Sequence, residues 1–394
     1  MSVLLKNDIY WVGAIDWNLR DFHGYTTFRG ATYNSYLILD EKITLVDTVK
    51  APFYSEWIER IKELIDPAKI DYLICNHIEP DHSGSIPQFI KEYPNVQIFS
   101  TKMAQSGLTK YFGPGLPIKV VKTGETLNLG KRNLNFIEVP MIHWPDSMFS
   151  YIPEEKLLLS NDGFGQHIAT SGRFDDEVDQ YEMMFEAKKY YANLLIHLSP
   201  LIQNTLKKVA DLKLEIDMIA PSHGVVWRKD PGKIINAYNN WSLQKTTDKV
   251  LIIYDTMWNS TAKMARTLVQ EFTNAGIEVK LQKLRSTHRS DIMTDLLDAK
   301  GFMVGSPTLH RNLFPSISSF LCYLRGLKPQ NKIAAAFGSY GWSGEAVEQV
   351  TNELKEIGLD VIDPGVRAQY APGKDDLDQV KQLAQQMITR IKET

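Results

Sequence analysis

Four side chains that can bind a metal ion occur within the six residues from His77 to His82. They directly follow Tyr72-Leu73-Ile74-Cys75, an apolar stretch typical of a buried strand. Ligands on a strand-to-helix turn converge on one point above a sheet, which favours a metal site over a solvated run of charges. Glu79 lies among imidazoles, and this mixture of oxygen and nitrogen ligands favours iron or manganese over zinc. A polar loop whose carboxylates cap a helix is the alternative interpretation.

Three further residues of ligand type, His143, Asp162 and His223, each follow a short apolar stretch in the same way. Together with the run 77–82, this gives four places where ligand-type residues follow a predicted strand, and four such cases are unlikely to arise by chance. The resulting set is too large for one metal ion, so we expect two ions, with Asp162 as the natural bridge because a carboxylate has two oxygens. The predicted ligands are His77, Glu79, Asp81, His82, His143, Asp162 and His223.

The pattern changes from Lys249 onwards. A fully apolar strand, 250–254, leads through a polar turn into an amphipathic helix, 262–272, as in the phosphate loop of flavodoxins. The turn lacks the G-x-x-x-x-G-K-[ST] motif, which disfavours a nucleotide-hydrolysing P-loop. Two later strands, 302–305 and 333–337, also end in polar loops, and the strand order 2-1-3-4-5 would bring all three loops around one FMN crevice.

The residues predicted to contact FMN share these three loops. They are Thr256, Met257, Trp258, Asn259, Ser260, Thr261, Ser306, Pro307, Thr308, Leu309, Asn312, Ser339, Tyr340, Gly341, Trp342, Ser343 and Gly344. We expect Trp258, Tyr340 and Trp342 to pack near the flavin ring, although Trp258 or Tyr340 covering the sheet edge is the alternative.

The H-x-E-x-D-H motif resembles the H-x-H-x-D-H signature of the metallo-β-lactamase superfamily. Together with Asp162 in its S-N-D-x-F-G-Q-H context, the chain resembles the flavodiiron proteins along essentially its whole length. The resemblance implies two irons and one FMN per chain, and in some members the residue matching His82 turns away from iron. It assigns the first iron to His77, Glu79, His143 and Asp162, and the second to Asp81, His82, Asp162 and His223.

Four further residues are predicted to lie near the metal ligands and to assist them. His23 resembles a pocket residue that contacts the bound gas or supplies a proton, and the alternative is a buried structural histidine. Tyr191 resembles a tyrosine that lines the pocket, and the alternative is one face of an aromatic helix. Both are predicted as catalytic residues. His167 follows Asp162 closely, which suggests contact with a ligand. Asp47 ends a strand as the superfamily's strand-end aspartate does, and we expect it to orient a ligand histidine.

The predicted fold class is α/β with two domains. Residues 1–247 are expected to form a metallo-β-lactamase-like αββα sandwich, and residues 248–394 a flavodoxin-like, doubly wound parallel sheet of order 2-1-3-4-5. Residues 36–39 and 43–46 flank a short polar turn and predict a hairpin. The predicted linker is 244–248.

Composition bounds the remaining possibilities for this chain of 394 residues. A net charge of -3 gives no indication of nucleic-acid binding, and no apolar run approaches the roughly 20 residues of a membrane helix. The first residues lack a signal-peptide pattern and only two cysteines occur, so we expect a cytoplasmic protein without a disulfide framework. Two cysteines are also too few for a rubredoxin module, so a separate electron donor is expected.

The sequence therefore predicts a reductase of O2, NO or both. By resemblance, FMN collects electrons from a rubredoxin-like donor and passes them to a di-iron centre, and the expected working unit is a head-to-tail homodimer. One rival is a metal-dependent hydrolase fused to a flavodoxin domain, against which Glu79 and the flavin loops count. A second rival is an electron carrier with a vestigial metal domain, against which the complete ligand set counts.

Overall fold

The structure is a computed structural model that describes residues 1–393, and the chain forms two compact units. The first unit comprises Met1–Tyr190 and Pro200–Asn239, and the second comprises Tyr191–Ser199 and the described chain from Asn240 onwards. The predicted division was 1–247 and 248–394. The structure places the second unit's start earlier and adds a short internal segment to that unit.

The first unit begins with strands and continues with alternating strands and helices. The strands before the first helix are β1 (Val3–Lys6), β2 (Ile9–Trp11), β3 (Ala14–Asp16), β4 (Asp21–Phe22), β5 (Tyr25–Thr26), β6 (Ala31–Tyr33), β7 (Tyr36–Ile38) and β8 (Thr44–Val46). Next come α1 (Tyr54–Lys62), β9 (Tyr72–Ile74), α2 (Pro80–Ser83), α3 (Ile86–Glu92), β10 (Gln97–Ser100), α4 (Lys102–Phe112) and β11 (Ile118–Val120). The remaining elements are β12 (Thr126–Asn128), β13 (Asn133–Glu138), β14 (Met148–Ile152), β15 (Leu157–Asn161), α5 (Gln180–Tyr190), α6 (Ser199–Asp211), β16 (Met218–Pro221) and α7 (Pro231–Ser242).

Two sheets make up the body of this unit. One has the order β1-β2-β7-β8-β9-β10-β11 and the other the order β12-β13-β14-β15-β16. A single apolar core joins them, because Ile74 and Phe99 of the first sheet cluster with Phe136 and Leu159 of the second. The outer face of the first sheet packs against helices, with Trp57 of α1 at its centre. The sandwich is therefore the predicted one, and β7 pairs with β8 as the predicted antiparallel hairpin.

The second unit is a five-stranded sheet flanked by helices. Its elements are β17 (Thr247–Tyr254), α8 (Ser260–Asn274), β18 (Glu278–Lys283), α9 (Arg289–Leu296), β19 (Ala299–Pro307), α10 (Pro315–Leu327), β20 (Ile333–Tyr340), α11 (Glu345–Ile357), β21 (Asp360–Gln369) and α12 (Lys374–Glu393). The strands are all parallel in the order β18-β17-β19-β20-β21, which confirms the predicted 2-1-3-4-5.

The predicted linker is part of the second unit. Gln244 accepts a hydrogen bond from the backbone N–H of Gln330 (2.6 Å), and Thr247 N–H donates to the carbonyl of Asp298 (2.8 Å). These contacts hold the segment on the sheet, which the polar composition of 244–248 did not indicate. Among the described helices, none is long and apolar enough to cross a membrane.

Candidate metal centre

The predicted ligands come together in the first unit, at the ends of strands from both sheets. His77 and Glu79 follow β9, and Asp81 and His82 lie on the short helix α2. On the second sheet the loop between β13 and β14 carries His143, β15 ends directly before Asp162, and His223 follows β16. Both sheets therefore present their ligands at one edge of the sandwich.

The first group of ligand atoms belongs to His77, Glu79, His143 and Asp162. The Nε2 atom of His143 lies 3.1 Å from Glu79 Oε2 and 3.2 Å from Asp162 Oδ2. The Nε2 atom of His77 lies 3.4 Å and 3.5 Å from the same two oxygens. Atoms bound to one metal at about 2.1 Å stand roughly 3.0–3.4 Å apart, so one ion fits among these four.

The second group joins Asp81, His82 and His223, and it faces the other oxygen of Asp162. Asp162 Oδ1 lies 3.1 Å from His82 Nε2 and 3.4 Å from His223 Nε2. Asp81 Oδ2 is 3.3 Å from His223 Nε2. Each oxygen of Asp162 thus faces a different group, as a bridging carboxylate requires, and the imidazole of His82 points into the cluster.

Buried atoms without hydrogen-bond partners indicate that these groups are built for cations. Both oxygens of Asp81, both oxygens of Asp162 and both ring nitrogens of His82 lack a partner in the described chain. The short distances between these atoms therefore do not give hydrogen bonds that satisfy them. Because buried polar atoms are nearly always bonded, and buried carboxylates are costly without a counter-charge, the residues fit two metal ions.

Mutual attraction between the carboxylates and imidazoles also shifts their pKa values. Burial alone would lower the pKa of His77, but hydrogen bonds to Asp146 and Glu79 raise it to about 10. Burial opposes the charge of Asp162 as well, yet the neighbouring imidazoles hold its pKa well below the usual range. Metal ions take the place of the imidazole protons when they bind.

Other residues fix the orientation of the ligand imidazoles. A hydrogen bond of 2.9 Å joins His77 Nδ1 to Asp146 Oδ2, and His223 Nδ1–H donates to the carbonyl of Thr32 (2.6 Å). These partners keep Nε2 free for the metal. Sequence reasoning missed Asp146, although its place three residues after His143 was a usable signal.

Asp47 was expected to orient a ligand histidine, but among the described residues its carboxylate bonds to those before the ligands rather than to a ligand imidazole. Within the described chain its carboxylate accepts hydrogen bonds from Asn76 and Asn161. Asp47 lies behind the ligand loops, and it therefore contacts the residues that precede His77 and Asp162 instead of the ligands themselves.

An aromatic pocket adjoins the metal groups. His23 Nε2 lies 2.5 Å from Glu79 Oε1, so the structure brings His23 to the site as predicted. The hydroxyl of Tyr25 is bonded to His167 Nδ1, and the His167 ring lies 4.6 Å from the ring of His223. Phe22 packs edge-on against His167. The Nε2 atom of His167 is buried and lacks a hydrogen-bond partner in the described chain.

Tyr190, rather than the predicted Tyr191, lines this pocket. The Tyr190 ring is 5.2 Å from that of His167 and 6.2 Å from that of His223. Tyr191 belongs to the second unit, where its hydroxyl lies 3.0 Å from Ser199 Oγ and its ring packs on Trp241. The two side chains diverge because α5 ends at Tyr190 and a π-helical turn begins at Tyr191.

The second unit gathers the predicted flavin loops at the carboxyl ends of β17, β19 and β20. Helix α8 has no side-chain cap at its N-terminus, so its first N–H groups remain available to an anion. Thr256 Oγ1 is buried without a partner in the described chain, and Thr261 Oγ1 lies 2.9 Å from Ser339 Oγ. The loop therefore fits a phosphate group.

The rim of this edge is aromatic and exposed. Trp258 is 90% exposed and Trp342 is 85% exposed, so both rings are accessible to a flat ligand or to a partner protein. Tyr370 follows β21 at the same edge, is 67% exposed, and donates its backbone N–H to Tyr340 O (2.7 Å). Sequence reasoning missed Tyr370, whose place after the fifth strand was the available signal.

Comparison with known proteins supports both halves of this description. The family described as ODP family beta lactamase matches residues 31–224, and the flavodoxin family matches residues 252–382. A nitric oxide reductase from Moorella thermoacetica is 48% identical over 393 residues, covering 99% of this chain and 98% of that protein.

Two solved structures are similar over nearly the whole chain. The rubredoxin oxygen:oxidoreductase from Desulfovibrio gigas has a TM-score of 0.98 at 41% identity, covering 100% of this chain and 99% of that one. The flavodiiron protein from Giardia intestinalis has a TM-score of 0.96 at 37% identity, covering 99% and 97%.

Replacement of Asp162 tests the bridge. Asp162→Ala should reduce the bound metal from two ions per chain to fewer than one, because both groups lose an oxygen. Asp162→Asn should be nearly as harmful because a neutral amide bridges poorly, whereas His82→Ala should be milder because water can replace an imidazole. Elemental analysis of the purified variants gives the metal content, with the half-exposed Asp176→Ala as control. Two ions retained by Asp162→Ala would exclude the bridge.

The neighbouring tyrosines provide a matched pair. Tyr190→Phe should lower the rate of gas reduction about 10-fold, since it removes the hydroxyl from a ring that packs on His167 and His223; loss of a direct proton donor would cost roughly 10²–10⁴-fold. Tyr191→Phe should leave turnover unchanged. Steady-state rates at equal metal content decide between them, and the opposite pattern would restore the sequence-based assignment.

Proposed function

The chain belongs to the flavodiiron protein family, and from that premise we propose that it reduces O2 to water, NO to N2O, or both. FMN held by the second unit would supply electrons, and a di-iron centre held by the first unit would use them. The observation that carries this proposal is Asp162, whose two oxygens face two complete groups of ligand atoms.

The bound cofactors supply the electrons: four for O2 to two waters, or two for a pair of NO molecules to N2O and one water. The residues of the chain would hold the metal ions and form the pocket around them. Glu79 and Asp162 would hold the first cation, Asp162 would also bind the second, and the ring of Phe22 lies 6.3 Å from that of His223 beside the second group. The hydrogen bond to Glu79 raises the pKa of His23, which lies at the edge of the pocket.

Two other functions fit the site less well. A hydrolase would use a metal-bound hydroxide, but Glu79 makes the first group more oxygen-rich than zinc sites usually are, and hydrolysis needs no flavin. An electron carrier would not need a ligand set in which all seven side chains converge. Zinc in the purified protein together with ester or lactam hydrolysis would favour the hydrolase.

The electron donor is proposed to be a separate, rubredoxin-like protein. The solved relative from Desulfovibrio gigas is named for oxidation of rubredoxin. The only cysteines here are Cys75, which is buried, and Cys322, so the chain lacks the four thiolates of a rubredoxin iron site. Both thiols are unpaired, which supports the proposed cytoplasmic location.

We also propose that the working unit is a head-to-tail homodimer. The exposed indoles of Trp258 and Trp342 beside the flavin edge are an apolar surface that a second copy would cover. A two-fold interface is self-complementary, so each chain can present its FMN to the irons of the other, and both electron paths form together.

Anaerobic turnover tests the function. The reduced protein, loaded with iron and FMN, should consume O2 to water or NO to N2O at a rate of at least about 1 per second, the lower end of typical enzyme turnover. Gas electrodes and product analysis measure each gas in parallel, with protein lacking iron as control. No consumption of either gas by protein containing two irons and one FMN would contradict the proposal.

Mixed dimers test the assembly. Asp162→Ala removes the metals, and Ser260→Glu places a negative charge where the flavin phosphate binds at α8. Each variant alone should be inactive, whereas exchanged heterodimers should regain activity through one intact FMN–iron pair. Mass spectrometry confirms the exchange. Confirmed heterodimers without activity would show that electrons move within one chain.

A further inference from the structure

The residues directly before three of the metal ligands are bonded to one another through Asp47. Asn76 precedes His77, Asn161 precedes Asp162, and Ser222 precedes His223. All of the preceding residues and Asp47 itself are buried. We infer that Asp47 is a positioning residue that fixes the distance between the two metal groups, although it supplies no ligand atom.

The two oxygens of Asp47 hold two different ligand loops. Oδ1 accepts the backbone N–H of Asn76 at 2.7 Å, and Oδ2 accepts the side-chain amide of Asn161 at 3.1 Å. Asn76 and Asp47 follow β9 and β8, which pair in parallel in the first sheet. Asn161 ends β15 in the second sheet. The contact between Asp47 and Asn161 therefore ties one sheet to the other at the ligand edge.

Asn161 extends the connection to the third loop. Its Nδ2 donates to Ser222 Oγ (2.9 Å) as well as to Asp47, so both amide protons are used. The backbone carbonyl of Asn161 accepts the backbone N–H of Ser222 (2.7 Å). His77 of the first group, the bridging Asp162 and His223 of the second group are thus attached to one chain of hydrogen bonds.

These hydrogen bonds can fix the positions of the metal ligands, because Asn76, Asn161 and Ser222 each directly precede a ligand in the chain. One trans peptide, with about 3.8 Å between Cα atoms, joins Asn161 to Asp162, so a shift of Asn161 is passed on in part to Asp162. A metal site tolerates errors of only about 0.5 Å in its ligands. Asp146, by contrast, bonds directly to His77 and the adjacent N–H of Ile78, and so acts on one ligand loop.

The backbone conformation allows an exchange of the two side chains. Asp47 has φ of 55° and Asn161 has φ of 46°, both in the left-handed region. Asp and Asn are the side chains that best tolerate this region, so each can occupy the other's position. After the exchange, the amide at position 47 would accept from Asn76 N–H and donate to the carboxylate at position 161. The hydroxyl of Ser222 would donate to that same carboxylate.

The experiment compares Asn161→Asp with the double variant Asp47→Asn/Asn161→Asp and with Asp47→Ala, all in the full chain. Asn161→Asp brings two buried carboxylates together and should weaken binding of the second iron by about 10- to 100-fold, the usual effect of a residue behind the ligands. Asp47→Ala should do the same. The double variant restores a carboxylate–amide pair and should regain most of the affinity.

Two readouts separate positioning from stability. Iron(II) titration gives the affinity for each ion, and Mössbauer spectroscopy gives the exchange coupling between the irons, which depends on the bridging geometry. Asp71→Ala is the matched control: Asp71 accepts from Ile43 N–H (3.0 Å) and joins the same two strands at their opposite ends. It should leave affinity and coupling unchanged, even if it lowers the melting temperature.

Two outcomes overturn the inference. One is an Asp47→Ala protein with wild-type affinity and coupling, and the other is a double variant no better than Asn161→Asp, including the case in which both fail to fold. The inference rests on the proposed di-iron centre but not on its gas chemistry. Wild-type protein that binds fewer than two irons would contradict the proposed function instead.

Discussion

The structure depends on the burial of three carboxylates and four imidazoles around one point. Glu79, Asp81 and Asp162 are all nearly inaccessible to solvent, and an unpaired carboxylate costs several kcal/mol in such a place. Protonated imidazoles balance the charge in the metal-free chain, as the raised pKa values of His77, His82 and His143 show. Two divalent cations would balance the same charge, and each could bind several of the converging oxygen and nitrogen atoms at once.

The sandwich suits this constraint because its two sheets end at the same edge. Ligands from the first sheet lie on the loop and short helix after β9, and ligands from the second follow β15 and β16. Because the ligands come from both sheets, the distances between them depend on how the two sheets are positioned relative to each other. The apolar core between them sets that alignment coarsely, and directional hydrogen bonds from Asp47 and Asn161 refine it at the edge itself.

The convergence of the seven candidate ligand residues and the strand order of the second unit could be predicted because both have local signals. Each ligand follows an apolar run, and strand, loop and helix repeat regularly after Lys249. Tyr190 could not be distinguished from Tyr191, because successive helical residues point about 100° apart and the phase changes where α5 gives way to a π-helical turn. The second unit resumes at Asn240, and contacts such as that between Gln244 and Gln330 join the predicted linker to it. Contacts between residues so distant in sequence cannot be inferred from local composition.

Buried atoms without hydrogen bonds identify the ligand sites in both units, but only together with their surroundings. Asp162, His82 and Thr256 have such atoms where other ligand-type groups converge. Arg173 has two such nitrogens although it belongs to neither group of ligand atoms, so a buried atom without a partner does not by itself identify a ligand site. Its guanidinium carbon lies 4.8 Å from the centre of the Trp11 ring, whose π face meets part of the charge. Burial lowers the pKa of Arg173 to about 10, so its proton remains at neutral pH, and no bound anion is needed to explain the contact.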